Sequence, residues 1–560
     1  MIYVEEKSAK KVPGITSLFI TFDFKPEIVT ALKSLGCKVY KKKTKVWEVP
    51  IVYLSEVLDK LSLYETIELS LQKDKVKPNV DTELDISNYK TQPFSYQEEA
   101  IKYGLNQDKW LLLDPPGLGK TLMTILLAQE LKQRKSIKHC LIVCGVNNLK
   151  FNWKKEIERH SNLDCLILGQ RINKGGKLVI GSVKDRVDQL SKPIKEFFII
   201  TNIETLRESS VIKALTKSVN DIDMMVVDEI HCCKSPQSAQ GKHLLKLTNF
   251  DYKIGLTGTM LVNDPLDAYV PLKWIGIEKS TYTAFKSCYC SYVGPFNNIM
   301  IGFKNINLLK YQLSQCSLRR SKDILDLPEK MIVDEIVEMD SKQSNFYENI
   351  KAGILDDVDK VEMTTTSLLS KITRLRQATA CPTMLTTEEI DSAKIIRACE
   401  LIDEIISNGN KVVVFSTFKE TVYELQKKLN KYNLVVSTGD YKDADISQNQ
   451  EKFQTDSECK IFLATWQKCG TGITLTAASY MIFIDIPWTY ALFVQACDRI
   501  YRIGTKNKVT IYNLITKDTV DEKVYDLVID KQAMSDYIID NQINQSNINN
   551  LKKYILDLQK

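Results

Sequence analysis

The segment Leu113-Asp-Pro-Pro-Gly-Leu-Gly-Lys-Thr121 brings two glycines, a lysine and a threonine together at a spacing suited to a polyanion. Gly117 and Gly119 carry no Cβ, so backbone amides on this stretch, that of Leu118 included, can come close to phosphate oxygens. A helix opening directly after the loop adds partial positive charge from its N-terminus. Lys120 is then placed to reach the β- and γ-phosphates of a nucleotide, and the Thr121 hydroxyl to ligate Mg²⁺. Asp114 stands where the strict pattern has Gly, so the spacing alone is not enough. The strand-loop-helix context carries the reading: an apolar run precedes the loop and a helical pattern, Leu122 to Leu131, follows it.

Met224-Met-Val-Val-Asp-Glu-Ile-His231 is a second such feature, an apolar strand that ends in two acids. Nucleotide hydrolysis needs a carboxylate to hold Mg²⁺, which suits Asp228, and a base to orient and deprotonate the attacking water, which suits Glu229. Leu256-Thr-Gly-Thr259 follows a strand-like Tyr252-Lys-Ile-Gly and by itself would be a turn. In Gln495-Ala-Cys-Asp-Arg-Ile-Tyr-Arg502-Ile-Gly504 the spacing predicts a helix with Gln495, Arg499 and Arg502 on one face. A guanidinium brought in from a second lobe can neutralise charge developing on a γ-phosphate, a contribution of about 10³ to 10⁵ in rate. Taken alone, the same residues would be a surface helix with solvated arginines.

The elements that position these residues follow from the apolar pattern. Between about residues 93 and 330, four-residue apolar runs alternate with helical stretches: Trp110–Leu113, Cys140–Val143, Phe197–Ile200 and Met224–Val227. Such runs suit strands buried on both faces of a parallel sheet. A more helical stretch, 331–395, comes next, and the alternation resumes at Lys411–Phe415, Ile461–Ala464, Met481–Ile484 and Val509–Tyr512. The expected fold is α/β: two tandem parallel-sheet lobes, 93–330 with the glycine loop and 396–534, with helical insertions. A small α+β module, 1–77, precedes them across a polar linker, 78–92, and a helical tail, 535–560, follows. Within the module, Lys38-Val-Tyr-Lys-Lys-Lys-Thr-Lys-Val-Trp47 is basic and aromatic.

Composition sets bounds on the reading. Fourteen cysteines and four histidines contain no Cys-x-x-Cys pair, which argues for reduced core thiols rather than a zinc site. No apolar run is long enough to span a membrane, and Met1 to Lys11 lacks the apolar core of a signal peptide. The expected compartment is the cytoplasm. A net charge of +6 permits a nucleic-acid partner only where positive charge is local.

The series as a whole resembles the Swi/Snf-type ATPases of helicase superfamily 2, from about residue 93 to 525. Its pieces appear in order: Tyr96-Gln97, Asp114–Thr121, Leu141–His160 with Asn152-Trp153 and Glu156, Asp228–His231, Lys234-Ser-Pro236, Leu256–Met260 with Asn263, Leu318-Arg-Arg320, Val414-Phe-Ser416, Gly470–Ala477 and Gln495–Gly504. The text departs from the usual family pattern at Pro115, Pro116, Ile230 (commonly Ala), Met260 (commonly Pro), Thr474 (often Asn) and Thr505 (usually Gln). The first segment is similar to the HARP module that precedes the motor in annealing helicases, on Phe24-Lys-Pro-Glu-Ile-Val, Leu32–Gly36 and Lys45-Val-Trp47-Glu-Val-Pro50.

The resemblance implies that both lobes are RecA-like, with 93–330 binding ATP, and implies ATP and Mg²⁺ as cofactors. Gln97 would read adenine, with Asp114, Gly117, Leu118, Gly119, Lys120, Thr121 and Gly472 around the nucleotide and Thr121 and Asp228 on the metal. Lys120, Asp228, Glu229, Gln495, Arg499 and Arg502 would be catalytic. It implies DNA, duplex or forked, held by its phosphates with little sequence preference; Lys150, Thr259, Thr417 and Thr465 are candidates by motif position. In the first segment Lys41, Lys42, Lys43 and Lys45 would meet phosphates while Tyr40 or Trp47 stacks on a base. The alternative, a basic hairpin with Trp47 in its core, stays open. The expected activity is that of a DNA translocase that remodels or reanneals forked DNA in repair or replication. A strand-separating helicase, or a non-catalytic adaptor on DNA or polymerase that uses ATP as a switch, are the competing expectations. A monomer is expected, with replication or recombination proteins as candidate partners. Lys-, Ile- and Asn-rich text suggests an AT-rich bacterial or phage genome, and in the latter case a host cytoplasm.

Overall fold

A computed structural model describes residues 2–8, 16–35, 39–41, 44–61, 63–70, 83–145, 149–172, 178–218, 221–258, 260–261, 265–293, 299–325, 327–358, 365–470, 473–526 and 528. Among these the chain divides into two compact units, Met1–Pro115 with Gly119–Ser321, and Pro116–Leu118 with Lys322–Ala533.

The first unit is built on a seven-stranded sheet. Its order is Ser317–Leu318, Lys109–Leu112, Tyr252–Leu256, Ile222–Asp228, His139–Cys144, Phe198–Asn202 and Cys165–Ile167, and every neighbouring pair is parallel. The reason is legible residue by residue. Successive side chains of a strand point to opposite faces, and here both faces are apolar. Leu111, Leu141, Val143, Ile199, Met225 and Val227 enter one core; Trp110, Leu112, Cys140, Ile142, Phe198, Ile200 and Val226 enter the other.

The second unit repeats the plan with six parallel strands, in the order Lys330–Val337, Val509–Thr516, Tyr480–Phe483, Val412–Ser416, Ile461–Thr465 and Leu434–Ser437. Val413, Phe415, Phe462 and Phe483 pack on one face, and Val412, Val414, Leu463 and Ile482 on the other. Each of the eight apolar runs singled out in the sequence therefore falls on a strand of the two sheets, to within one residue at its ends. The stretch read as helical from 331 opens instead with the edge strand Lys330–Val337. An edge strand is covered poorly, and this one exposes Met331, Ile332 and Ile336, so it lacks the signature of a buried strand. The tail 535–560 lies outside the described residues.

The first segment carries its own five-stranded sheet, ordered Val39–Lys41, Val46–Pro50, Thr16–Phe22, Ile2–Ser8 and Ile67–Ser70. The helices Pro26–Lys33 and Leu54–Leu61 complete a small core with Ile28, Leu32, Val57 and Leu61. Tyr53 Oη donates to Asn305 Oδ1 at 3.3 Å, tying this segment to the rest of its unit.

Candidate functional site

In open parallel sheets, ligands bind beyond the carboxyl ends of the strands. The candidate residues of the first unit gather there. Lys109–Leu112 runs into the glycine loop, and the helix Lys120–Lys135 starts directly after it. Gly117 and Gly119 adopt φ of +91° and +84°, the left-handed region that favours glycine. A Cβ at Gly119 would also lie 2.4 Å from Nε2 of Gln97. Gln97 is buried at the third position of the helix Ser95–Leu105, where its Oε1 accepts from the Phe94 amide at 3.0 Å. The residue read as adenine-sensing is thus set directly against the glycine loop.

Asp114, at the position of the missing glycine, is fully buried and structural in its contacts. Its Oδ1 accepts from the amide and Nε of Arg320 at 3.0 and 3.2 Å, and its Oδ2 from the Arg320 guanidinium. Arg320 also donates to the Tyr96 carbonyl, joining the loop to the Gln97 helix. The Lys120 ammonium donates to the Asp114 carbonyl at 2.7 Å.

Ile222–Asp228 delivers the two acids two strands away. Trp153 Nε1 donates to Asp228 Oδ2 at 2.9 Å, and the Glu229 amide donates to Oδ1 at 3.0 Å. Burial, with the charge of Glu229 second, pushes the Asp228 carboxyl up to about 6, while the Lys120 ammonium opposes that rise. Glu229 has φ of +51°, a strained value for a residue with a side chain. Its Oε2 lies 3.2 Å from Nδ1 of His231, which is also 2.9 Å from the Thr257 hydroxyl at the end of the strand between loop and acids. Burial alone would lower the pKa of His231. The adjoining Cys232 thiol and Glu229 carboxylate outweigh it and hold the imidazole at about 10. The departure at Ile230 has a packing reason: a Cβ on Gly255 would sit 2.9 Å from Ile230 Cδ1, so the larger residue fills space that glycine leaves.

In the second unit the expected arginine helix is shorter than the spacing suggested. It runs Tyr490–Cys497, and Arg499 and Arg502 follow in turns, so they share no helical face with Gln495. Asp498 caps the helix, and its buried side chain is paired with the Lys322 ammonium. Arg499 is turned inward: its Nε donates to the Gln495 carbonyl at 2.8 Å and its guanidinium to the Ile473 carbonyl at 3.1 Å. Gln495 is buried as well. Arg502 is half-buried and donates to the Thr474 hydroxyl at 3.1 Å.

The candidate nucleic-acid contacts divide. Thr417 and Thr465 line one groove of about 380 Å³ with Lys419, Gln467 and Lys468. Both polar hydrogens of Thr417 are already engaged by Asp485. Lys150 is buried. Trp47 belongs to the core of the first segment at 7% exposure, its ring 4.9 Å from that of Tyr40, which is 44% exposed. The aromatic face left for a base is therefore that of Tyr40. Lys41 is paired with Glu48 at 2.7 Å, and Lys45 is exposed at φ of +54°. Lys42, Lys43, Thr259 and Gly472 lie outside the described residues. Sequence reasoning passed over Lys322, Arg376 and Asp485, whose partners lie far along the chain. For Arg320 a signal did exist, the paired arginines after Leu318.

Among the described residues no group of three or more His, Cys, Asp or Glu could hold a metal unaided, and no helix is long and apolar enough to cross a membrane.

Comparison with known proteins identifies the family. The SNF2-related domain matches residues 96–384 and the helicase conserved C-terminal domain residues 393–504. An uncharacterized ATP-dependent helicase of Mycoplasma pneumoniae is 27% identical over 518 residues, covering 89% of this chain and 47% of that protein. The ISWI chromatin-remodeling complex ATPase ISW1 of Saccharomyces cerevisiae is 25% identical over 495 residues, covering 83% and 42%. The SWI2/SNF2 ATPase core of Sulfolobus solfataricus in complex with dsDNA is 25% identical, covering 81% of this chain and 94% of that one, with a TM-score of 0.37. The chain spans about half the length of the curated relatives it matches. The chain belongs to the SNF2-related family, the Swi/Snf-type branch of helicase superfamily 2, and carries a helicase conserved C-terminal domain after the SNF2-related one.

Proposed function

We propose that this chain hydrolyses ATP and uses the energy to move along duplex DNA, acting on forked or branched substrates. The observation that carries the reading is the strand-end cluster of the first unit: the left-handed Gly119 against Gln97, with Lys120, Asp228 and Glu229 at the carboxyl ends of the same sheet.

These residues fit a magnesium nucleotide. The glycine loop leaves amide groups without a Cβ in the way, and Thr121 and Asp228 offer a hydroxyl and a carboxylate for an ion that takes its other ligands from phosphates and water. ATP with Mg²⁺ would supply the phosphoanhydride bond and neutralise its charge. The residues around it have separate tasks. Lys120 binds and orients phosphate oxygens in place of the Asp114 carbonyl it now holds. Glu229 accepts a proton at its carboxylate from the attacking water. Trp153 keeps Asp228 in one orientation. Arg502 is proposed to meet negative charge as it develops, which would make it a group for turnover and not for binding. DNA is proposed to lie on the second unit's groove at Thr417, Thr465 and Lys468, with Tyr40 and Lys45 of the first segment as a separate contact. The names of the similar proteins above, helicase and remodelling ATPase, support the same reading.

The test is ATP turnover measured without DNA and with single-stranded, duplex and forked DNA, for the unaltered chain and for Lys120→Ala, Glu229→Gln and Arg502→Ala. Duplex or forked DNA should raise turnover, the first two variants should abolish it, and the third should bind ATP without turning it over. Hydrolysis by Lys120→Ala or Glu229→Gln at the normal rate would remove the assignment. ATP binding with no turnover in the unaltered chain on any DNA would favour the adaptor reading instead.

A further inference from the structure

The chain passes from the first unit to the second between Ser321 and Lys322. Ser317–Leu318 forms the edge strand beside Lys109–Leu112, and the contact continues past the strands, with the Leu113 amide donating to the Leu318 carbonyl at 2.8 Å. Arg319 donates to the Leu113 carbonyl at 3.3 Å, and Arg320 closes on Asp114 with its amide, Nε and guanidinium. Residues 317–320, at the end of the first unit, are thereby fastened to Leu111–Asp114, the segment that leads into the glycine loop.

Two positions after Arg320, Lys322 is fastened to the arginine turn of the second unit. Its ammonium pairs with Asp498, donates to the Tyr501 carbonyl at 3.2 Å, and stands 5.3 Å from the centre of the Tyr501 ring. Asp498 directly precedes Arg499 and Tyr501 directly precedes Arg502, so Lys322 grips both sides of the turn that presents the arginines. Both charges are largely withdrawn from water, at 17% and 2% exposure. Burial raises the Asp498 carboxyl and lowers the Lys322 ammonium, so each is costly without the other.

We propose that Arg320 and Lys322 are paired positioning residues, one setting the glycine loop through Asp114 and the other setting the arginine turn through Asp498 and the Tyr501 carbonyl. Two residues of chain span at most about 7 Å. With so short a tether, displacement of either clamped segment pulls on the other clamp, and the crossing at Ser321 transmits the state of the loop to the turn. The inference rests on the ATP-hydrolysis reading above and adds residues that position the glycine loop and the arginine turn.

The test combines three measurements on the full chain: equilibrium binding of a fluorescent ATP analogue, steady-state hydrolysis with saturating duplex DNA, and amide hydrogen exchange across 498–502. Arg320→Ala should weaken analogue binding at least tenfold. Lys322→Ala should leave binding within twofold, lower kcat at least tenfold with KM little changed, and speed exchange at 498–502. Arg320→Lys and Lys322→Arg should recover part of each loss. Asp114→Asn and Asp498→Asn reach the same pairs from the other partner and should give the same split if an alanine variant fails to fold. Four residues, Gly-Ser-Gly-Ser, inserted between Ser321 and Lys322 keep both clamps and lengthen the tether; binding should persist while DNA-stimulated kcat falls at least tenfold. A normal rate in the insertion variant overturns the coupling, and unaltered analogue binding by Arg320→Ala overturns the first clamp. If the unaltered chain binds the analogue without hydrolysing it, the hydrolysis reading fails alone, and binding and exchange still decide the two clamps.

Discussion

The guanidinium of Arg502 donates to the hydroxyl of Thr474 at 3.1 Å. On its other side the Arg502 amide donates to the Thr505 hydroxyl, also at 3.1 Å. These are the two places where the arginine region departs from the usual family text, so the departures meet at one residue. A threonine hydroxyl is shorter than an asparagine or glutamine amide, and here both hydroxyls fix Arg502 at close range. Thr474→Val keeps the shape and removes the acceptor. It is expected to lower turnover about three- to tenfold, the rate equivalent of about 1 kcal/mol for a hydrogen bond on a half-exposed guanidinium. ATP affinity should stay within about twofold, because an interaction that acts on developing charge shows in kcat. A matched fall in affinity would mean that Arg502 already contacts the ground state.

The indole of Trp153 is buried and its N–H reaches Asp228 Oδ2 at 2.9 Å. That bond holds a carboxylate proposed to ligate Mg²⁺. Partners of metal ligands commonly change metal affinity about 10- to 100-fold when removed. Trp153→Phe should therefore shift the Mg²⁺ concentration for half-maximal hydrolysis upward by about tenfold, with the maximal rate at high Mg²⁺ largely restored. A Mg²⁺ titration of hydrolysis decides it. An unchanged midpoint with a lower plateau would assign Trp153 to packing alone.

Much of this was legible in the sequence, for identifiable reasons. Val412–Phe415 and Met224–Val227 are apolar at every position because both faces of their sheets are covered, and such runs read as strands without further context. The glycine loop and the Asp228-Glu229 pair announce themselves because their chemistry is local. What escaped was set at a distance. Nothing near Arg499 in the chain says that the helix stops at Cys497, or that the Asp498 that caps it pairs with Lys322, 176 positions away. Asp114 looked like a defect in the loop until Arg320, 206 positions away, supplied its partner. Trp47 could have stacked on a base by composition, and only the packing of the first segment's sheet puts it inside. Lys330–Val337 carries charges and exposed isoleucines because it has a neighbour on one side only.

Lys253 offers a prediction about stability. It is 4% exposed, and its ammonium donates to the Trp274 carbonyl at 3.1 Å. Burial, helped by the nearby Lys109, lowers its pKa from 10.5 to about 8. Between those values the unfolded chain binds more protons than the folded one, so this site's contribution to stability rises with pH across that window. Below it the amine is charged in both states and the burial cost is fully present, about 3 kcal/mol from the shift. Lys253→Met leaves the Trp274 carbonyl without this donor, which offsets part of the gain. The net expectation is about 1 to 2 kcal/mol of added stability at pH 7, shrinking as pH rises from 8 toward 10.5. Urea unfolding of both chains at several pH values reads the difference. A gain independent of pH would show that packing and not charge burial is responsible.

Asp485 organises the groove of the second unit from beneath. Its carboxylate accepts from the Ser416 hydroxyl at 2.5 Å, from the Thr417 amide at 2.9 Å and from the Thr417 hydroxyl, with the Arg376 guanidinium 3.4 Å away. Thr417 in turn accepts from Trp466 Nε1 at 2.9 Å and, at its carbonyl, from Gln467 Nε2 at 3.2 Å. Thr417 therefore contributes to the groove as a fixed node, and a phosphate would more readily meet Lys419, Lys468 or Gln467 around it. Asp485→Asn keeps one acceptor oxygen and turns an N–H₂ toward donors, leaving Arg376 without this counter-charge. Breaking a buried charged network in this way costs about 2 to 4 kcal/mol, part of which appears as a lower melting temperature. Duplex-DNA affinity should fall about tenfold as the node loosens, while ATP affinity without DNA holds within about twofold. Ser416→Ala, which removes one donor and leaves no charge unpaired, should reproduce the direction at a few-fold. If both variants bind DNA as tightly as the unaltered chain, the groove at Thr417 and Thr465 is not where DNA sits, and the phosphate contacts must be sought on another face of the second unit.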